Sequence, residues 1–180
     1  MKKLFLSLIV SAALFGSAQA ATYQAVVLEK STITFNFKQM GVTSDGRFKK
    51  FAAQVGVDTD KPAGAKGTIT IDLASIDTGS KEADQEAVGK SWFNVAAHPN
   101  ATFTLGDLTP TGAGQFQARG QLTIKGQTRE VVAPVKLSPQ GVLTGSFVLK
   151  RTDFGIGEGM WAKFDVVANE IVVNFNLSLK

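Results

Sequence analysis

The chain has 180 residues, of which 19 are Lys or Arg, 15 are Asp or Glu and none is Cys. A chain without Cys has no disulfide, no thiol nucleophile and no thiolate metal ligand. Two of the cations, Lys2 and Lys3, fall in an N-terminal leader, and no run of cations interleaved with aromatic residues occurs elsewhere. The composition therefore argues against a nucleic-acid partner.

The first twenty residues have the three parts of a secretory signal peptide. Residues 2–3 are basic, residues 4–15 form an apolar region, and residues 18–20 match an A-x-A cleavage site. The apolar region is shorter than a membrane span needs, and no Cys follows the cleavage site to carry a lipid anchor. We predict cleavage after Ala20, export to the periplasm and a single mature domain over residues 21–180.

The mature chain is predicted to be β-structure, because apolar and polar residues alternate in many short segments, most clearly in residues 171–180. Alternation gives a strand one apolar face and one polar face. Gly and Pro residues typical of turns separate the segments, and a tight hairpin is expected at Gly126. The predicted strands cover residues 23–28, 31–38, 46–58, 67–73, 101–109, 115–124, 128–137, 142–150 and 166–179. Many strands in one small domain predict a sandwich or a barrel.

One segment, residues 80–94, is predicted to be helical. Its first half consists mostly of residues that favour helices, and Ser80 is suited to cap the helix N-terminus. Trp92 and Phe93 follow at the helix exit. These two aromatic residues either pack in the core or form a lid over an apolar interior.

The apolar faces of the strands, if they point inward, build an interior rich in Phe and poor in hydroxyl groups. The chain has 13 Phe and 1 Tyr. A barrel of about eight strands either fills its interior with side chains or holds one small ligand, and alternation alone does not decide between the two. The residues expected to point inward are Ile33, Phe35, Phe37, Ile69, Ile71, Phe103, Leu122, Ile124, Leu143, Phe147, Ile171, Val173, Phe175 and Leu177.

Two features near residue 150 are candidates for polar contacts. Arg151 and Asp153 are two residues apart, so on a strand they would share one face. Arg151 would either close the barrel end in an ion pair or contact the polar head of a ligand. The glycine-rich residues 155–159 lack the Lys-Ser/Thr of a phosphate-binding loop. With Trp161 beside them, they form a loop that is expected to shape ligand access.

No catalytic residue, metal ligand or cofactor is predicted. His98 is the single histidine, it precedes Pro99, and no partner for a catalytic triad is evident. One His without Cys leaves only carboxylates as further metal ligands. Asp58 and Asp60 flank a turn, but the longer oxygen-rich pattern of a calcium loop is missing.

Several groups of residues, in order along the mature chain, resemble the motifs of one family. The matching groups are Gly67-Thr68-Ile69-Thr70-Ile71-Asp72-Leu73 with Asp77-Thr78-Gly79, Asp84, Trp92-Phe93, His98-Pro99, Thr102-Phe103, Gly120-Gln121-Leu122-Thr123-Ile124-Lys125-Gly126 and Arg151-Thr152-Asp153-Phe154-Gly155. They resemble the YceI-like family, which is also called the polyisoprenoid-binding or lipid-binding protein family. The resemblance covers essentially the whole mature chain.

The resemblance implies an all-β fold, namely an extended antiparallel eight-stranded β-barrel of lipocalin-like shape with one short helix near an end. It also implies an apolar tunnel that holds a polyisoprenoid or an isoprenoid-quinone-like amphiphile for transport, storage or sequestration. Beyond the lipid, the protein is expected to contact a membrane transiently and to form a homodimer. The residues expected to contact the ligand are Phe35, Phe37, Ile69, Ile71, Trp92, Phe93, Phe103, Leu122, Phe147, Arg151, Asp153, Phe154, Trp161, Val173 and Phe175.

Three other functions fit parts of the sequence. The first is a barrel with a filled interior that acts in a stress response or through a protein partner, and the second is an enzyme that acts on an isoprenoid substrate. The third is an outer-membrane barrel, which shares the leader and the alternation. Such barrels carry aromatic girdles rich in Tyr and Trp, whereas this chain has 1 Tyr and 2 Trp and ends in Leu179-Lys180.

Overall fold

The computed structural model describes residues 21–180, and the predicted signal peptide, residues 1–20, lies outside the described residues. The described chain is almost entirely β-structure with one short α-helix. The strands are β1 (Thr22–Tyr23), β2 (Thr32–Gln39), β3 (Val42–Phe48), β4 (Phe51–Asp58), β5 (Lys66–Asp72), β6 (Ile76–Asp77), β7 (Asn100–Gly112), β8 (Gln115–Ile124), β9 (Gln127–Leu137), β10 (Val142–Lys150) and β11 (Glu170–Ser178), and the helix is α1 (Lys81–Val88). In residues 21–180 no helix is long and apolar enough to cross a membrane.

All eleven strands belong to one antiparallel sheet, with the order β1-β4-β5-β7-β8-β9-β10-β11-β2-β3-β6. Strands β3 and β4 lie near opposite ends of this order, yet only Lys49 and Lys50 separate them in the chain. The sheet therefore curls into a barrel that the chain itself closes. Counted as one bent strand, β3 and β4 bring the number of long strands to eight, which confirms the predicted fold class.

The bend between β3 and β4 is held by a short 3-10 turn, Leu73–Ser75. The backbone N–H of Lys49 donates to the Ser75 carbonyl at 3.0 Å, and the N–H of Lys50 donates to Ser75 Oγ at 3.0 Å. The buried Ser75 thus accepts hydrogen bonds from the two N–H groups that have no partner strand at the bend. The prediction of one continuous strand over residues 46–58 was wrong at this point, because the chain turns away from its first partner strand here.

The two ends of the barrel differ. At the end where residues 21 and 180 lie, β1 pairs with β4, and Val26 forms a bridge with Leu179. The predicted strand over residues 23–28 is therefore only Thr22–Tyr23 followed by this bridge. We call the opposite end the helix end, because α1 and the turn between β8 and β9 lie there. The predicted strand over residues 166–179 begins at Glu170, since Val167 forms only an isolated bridge with Gln39.

The helix α1 begins where the sequence predicts but is shorter than the predicted range of 80–94. The Ala83 N–H donates to Ser80 Oγ at 3.3 Å, which caps the helix N-terminus. The side chain of Asp84 accepts hydrogen bonds from the N–H and the hydroxyl of Thr78, both at 2.7 Å, and thereby ties the helix to the preceding strand. Ala87 is buried against Phe35 and Ile76 of the barrel wall.

Candidate functional site

An apolar cavity of about 120 Å³ lies inside the barrel. Its wall is built from residues of eight long strands, and Lys66 is the one charged residue among those that line it. Of the residues predicted to contact a ligand, seven line this cavity: Ile69, Ile71, Phe103, Leu122, Phe147, Val173 and Phe175. The sequence analysis missed other lining residues, notably Val55, Val57, Leu105, Leu108, Phe116, Ala118, Val131, Ala133, Val135, Leu137 and Leu179.

The interior stays partly open because large rings lie flat over glycines of neighbouring strands. Phe175 is paired directly with Gly145, and a Cβ atom at Gly145 would collide with its Cζ atom. Phe103 likewise lies over Gly120, which pairs with Leu105, and a Cβ atom there would lie 2.5 Å from Cζ of Phe103. Rings held against the wall in this way leave the centre of the barrel free, since each occupies the space of a missing side chain.

The size of the cavity limits what fits without rearrangement. An engineered apolar cavity of about 150 Å³ binds benzene, so the present cavity has room for roughly one isoprene-sized group. The interior is therefore neither completely filled nor an open tunnel. The rings of Phe103, Phe147 and Phe175 line the cavity and are only half-buried, so they border its empty space.

The helix end of the barrel is packed with aromatic residues that lie outside the cavity lining. Phe35 packs against Phe37 and Phe48 with ring centroids 5.9 and 5.4 Å apart, and Phe48 meets Phe93 at 6.2 Å. Trp92 and Phe93 pack on a buried cluster that includes Phe154. Phe35 faces the interior as expected, because it pairs with Val173 of the cavity wall, but its ring lies over Gly46 and packs with Ala87 of α1. Neither Phe35 nor Phe37, both expected to contact a ligand, lines the cavity. Ile124 and Ile171, also expected inside, are absent from the cavity lining as well.

Arg151 is 1% exposed and holds a loop together instead of facing a ligand. Its guanidinium donates hydrogen bonds of 2.7–3.2 Å to six backbone carbonyls, those of Ile156, Gly157, Trp161, Lys163, Val167 and Ala168. Because all five N–H groups are used, none is left for a head group. Burial lowers the pKa of Arg151, but a guanidinium stays charged in proteins.

Two predictions for this motif are corrected by the structure. Arg151 and Asp153 lie in a 3-10 turn and not on one face of a strand, and Asp153 is exposed. Within residues 21–180 Arg151 forms no ion pair, so the predicted pairing at the barrel end is wrong. The cation is instead placed over two aromatic rings, 5.5 Å from the centroid of Trp92 and 5.4 Å from that of Phe164.

The loop of residues 155–169 crosses the whole helix end. On one side Lys125 Nζ donates to Glu158 at 2.9 Å, and on the other side the Met40 N–H donates to Val166 O at 2.8 Å. Trp161 lies in this loop, where its Nε1 donates to Glu86 at 2.8 Å and its ring meets Trp92 at 5.5 Å. The loop thus covers the packed end of the barrel, outside the cavity lining.

The other polar residues considered in the sequence, His98, Asp58 and Asp60, lie in or against turns. His98 lies against Gly126, where a Cβ atom would come within 3.3 Å of the imidazole Cε1. Asp58 accepts the backbone N–H of Asp60 at 2.9 Å, as in a solvated turn. Within residues 21–180 no group of three or more His, Cys, Asp or Glu residues is arranged to hold a metal ion.

Comparison with known proteins places this barrel in a family. The sequence profile of the YceI-like domain matches residues 24–179. A UPF0312 protein of Azotobacter vinelandii is 30% identical over 169 residues, covering 87% of this chain and 88% of the relative. A UPF0312 protein of Yersinia pestis is 34% identical over 148 residues, covering 78% and 75% of the two chains.

Two solved structures agree with the fold. BcnA of Burkholderia cenocepacia is 38% identical, with a TM-score of 0.82 over 84% of this chain and 98% of the other. A polyisoprenoid binding domain of Saccharophagus degradans is 18% identical, with a TM-score of 0.65 over 87% of this chain and 97% of the other, and at this identity it shows the fold alone. On the profile match and these relatives, the chain belongs to the YceI-like family.

Proposed function

We propose that the protein binds an isoprenoid lipid, either a polyisoprenoid or a quinone with an isoprenoid tail, in the cavity of its barrel. The observation that carries this proposal is the cavity itself, because an apolar wall with one charged residue offers few partners to a polar ligand. The description of the Saccharophagus degradans relative as a polyisoprenoid binding domain supports the same ligand class. Outward-facing positions are mainly polar, which favours this role over that of an outer-membrane barrel.

The energetics suit a hydrocarbon tail. Each buried methylene contributes roughly 0.8 kcal/mol, so a chain of several isoprene units supplies ample driving force. One methylene more or less changes binding in an apolar pocket by only about 1–3 kcal/mol. The protein therefore takes a class of lipids with similar tails and does not select one molecule.

The proposed place of action is the periplasm, where the protein carries, stores or sequesters its lipid after removal of residues 1–20. The contacts of Ala21 support this cleavage position. Its backbone N donates to Thr59 Oγ1 at 2.9 Å, and its carbonyl accepts from the Thr59 N–H at 3.0 Å. These contacts tie the residue that follows the proposed site to the barrel. The intact mass of the exported protein tests this, and a mature start other than Ala21 contradicts it.

The binding proposal is tested by native mass spectrometry of protein purified from its own cell envelope, followed by solvent extraction and lipid identification. We expect a bound prenyl lipid or quinone that is lost in the variant Phe103→Lys, which places a charge in the cavity. Thr104→Lys is the matched control, since Thr104 is the exposed neighbour on the outer face of β7. The same spectra report a homodimer, and flotation with vesicles reports membrane contact.

Thermal melting of both variants separates loss of binding from loss of folding. If Phe103→Lys melts early, Ala118→Phe provides a second variant that fills the cavity without adding charge, because Ala118 lines it. A wild-type protein that carries no extractable lipid contradicts the proposal. That result favours the alternative of a barrel that acts through a protein partner or in a stress response.

A further inference from the structure

The pairing between β9 and β10 stops halfway along the two strands. Strands β10 and β11 are paired over nine residues, Val142 to Lys150, whereas β10 and β9 are paired only at Leu143–Leu137, Thr144–Lys136 and Gly145–Val135. Beyond Gly145 the two strands run on toward the helix end without a common ladder. We call this unpaired stretch, residues 146–150 of β10 and 128–134 of β9, the seam.

Pro134 explains why the ladder ends there. Lys125 and Gly126, with φ of 49° and 75°, form the two-residue turn between β8 and β9, so the adjacent pair Ile124–Gln127 is hydrogen-bonded. Hydrogen-bonded and non-bonded pairs then alternate, and Gln117–Pro134 falls on a non-bonded position. The nitrogen of Pro134 therefore faces β10, where it has no proton to donate to the next rung.

The inner side of the seam is the wall of the cavity. Val131 and Ala133 of β9 and Phe147 of β10 all line it. On the outer side, continuing the register of the last paired residues places Val148 opposite Val132. These valines are 58% and 37% exposed, two of the few large apolar side chains on the surface of residues 21–180. Apolar side chains thus stand on both edges of the seam, outside as well as inside.

A groove of about 430 Å³ on the outer surface lies beside the point where the ladder stops. Its lining includes Pro134, Ser146, Gly145 and Phe175, and Phe175 is also among the residues that line the cavity. The ring of Phe175 covers the position that a side chain of Gly145 would take. By contrast, the helix end is closed by packed aromatic residues and by the loop that Arg151 holds.

The geometry points to the seam as the portal of the barrel: the hydrocarbon tail passes sideways between β9 and β10, past Val132 and Val148, and the ring of Phe175 turns aside to admit it. This inference rests on the proposed lipid binding and adds the route to it. A tail that passes between the two apolar edges of the seam stays out of water along its path. The helix end offers no such path, because packed side chains close it. The strands need only move apart where no ladder bond has to break.

The test joins the two edges of the seam. The chain has no native Cys, so Val132→Cys together with Val148→Cys gives two unique thiols that a short bis-maleimide can bridge. The control is Gln121→Cys with Glu130→Cys, an exposed pair across the fully paired strands β8 and β9. Uptake of all-trans-retinol, a fluorescent isoprenoid alcohol, is followed by stopped-flow fluorescence before and after cross-linking.

We expect the cross-link across the seam to slow uptake roughly tenfold or more, because the gating motion is blocked, while the control cross-link leaves the rate unchanged. Equal rates in both cross-linked proteins overturn the portal while the binding proposal stands. A wild-type protein that takes up no retinol contradicts lipid binding itself. Both cross-links lie on the surface, and melting curves of the cross-linked proteins verify that each remains folded.

Discussion

Replacing Gly145 with Ala tests how the barrel keeps its interior open. The new Cβ atom would collide with Cζ of Phe175 and would lie 2.9 Å from the Pro134 carbonyl oxygen. Atoms cannot approach so closely, so the ring must swing away from the wall, and the free space beside it is the cavity. Overpacking by one methyl group typically costs about 1–3 kcal/mol. Since a benzene ring fits a cavity of about 150 Å³, a displaced phenyl ring consumes most of the 120 Å³ available here.

Two assays follow the two consequences of Gly145→Ala. Urea denaturation should show a free energy of unfolding lower by about 1–3 kcal/mol, and titration with retinol should show weaker binding. Gly56→Ala is the control, because Gly56 also lies in a strand and has no atom within 4 Å of the added Cβ. It should be neutral or stabilising by up to about 1 kcal/mol, since Ala restricts the unfolded chain.

A second substitution identifies the ring as the cause. In Gly145→Ala with Phe175→Leu the smaller side chain removes the clash, so the two changes together should cost less than the sum of the single changes. Strict additivity, or a Gly145→Ala variant with the stability and retinol affinity of the wild type, refutes the idea that the ring lies flat only because residue 145 lacks a side chain.

Further expectations concern the helix end and the bend of the barrel. Arg151→Met leaves the loop carbonyls without donors and should cost about 3–5 kcal/mol in urea denaturation, whereas Lys150→Met, at an exposed neighbour, should cost little. A hydrogen bond from Arg47 lowers the pKa of the Asp77 carboxyl below its usual value of 3.8. The ionised carboxylate therefore stabilises the fold above pH 3.8, and this stabilisation is lost as the pH falls through the pKa that Asp77 has in the folded protein. Urea midpoints measured against pH should therefore fall less steeply below pH 4 in Asp77→Asn. Ser80→Ala removes the helix cap and should cost about 1 kcal/mol by thermal or urea unfolding, with unchanged stability as the contrary result.

The strand pattern was predictable because alternation and turn residues coincide. The bounds of β8 and β10 are those expected from the sequence, since Gly residues flank both ends of β8 and Pro139 and Gly141 precede β10. The bend at Lys49 and Lys50 was missed, although two adjacent lysines between Phe48 and Phe51 already break the period of two. The sequence therefore carries a local signal for this bend.

The contacts of Arg151 and the lining of the cavity could not be predicted from the sequence, because they depend on which parts of the chain become neighbours in the fold. Arg151 binds carbonyls that lie 5 to 17 residues further along, and no local pattern distinguishes such a residue from one in an ion pair. The pairing of Phe175 with Gly145 requires the register of β10 and β11. The apolar character of the interior is therefore predictable from the sequence, whereas the residues that line the cavity are identified only by the structure.

The open interior has an energetic consequence that links stability to binding. Empty volume in a core lowers stability by about 24 cal/mol per Å³, so a cavity of 120 Å³ costs roughly 3 kcal/mol relative to a filled barrel. Glycine at position 145 keeps this volume free, because a larger residue there would push the ring of Phe175 into it. A ligand that fills the cavity restores the missing contacts and stabilises the folded state by mass action. The empty volume thus lowers the stability of the unliganded barrel and makes room for the molecule that restores it.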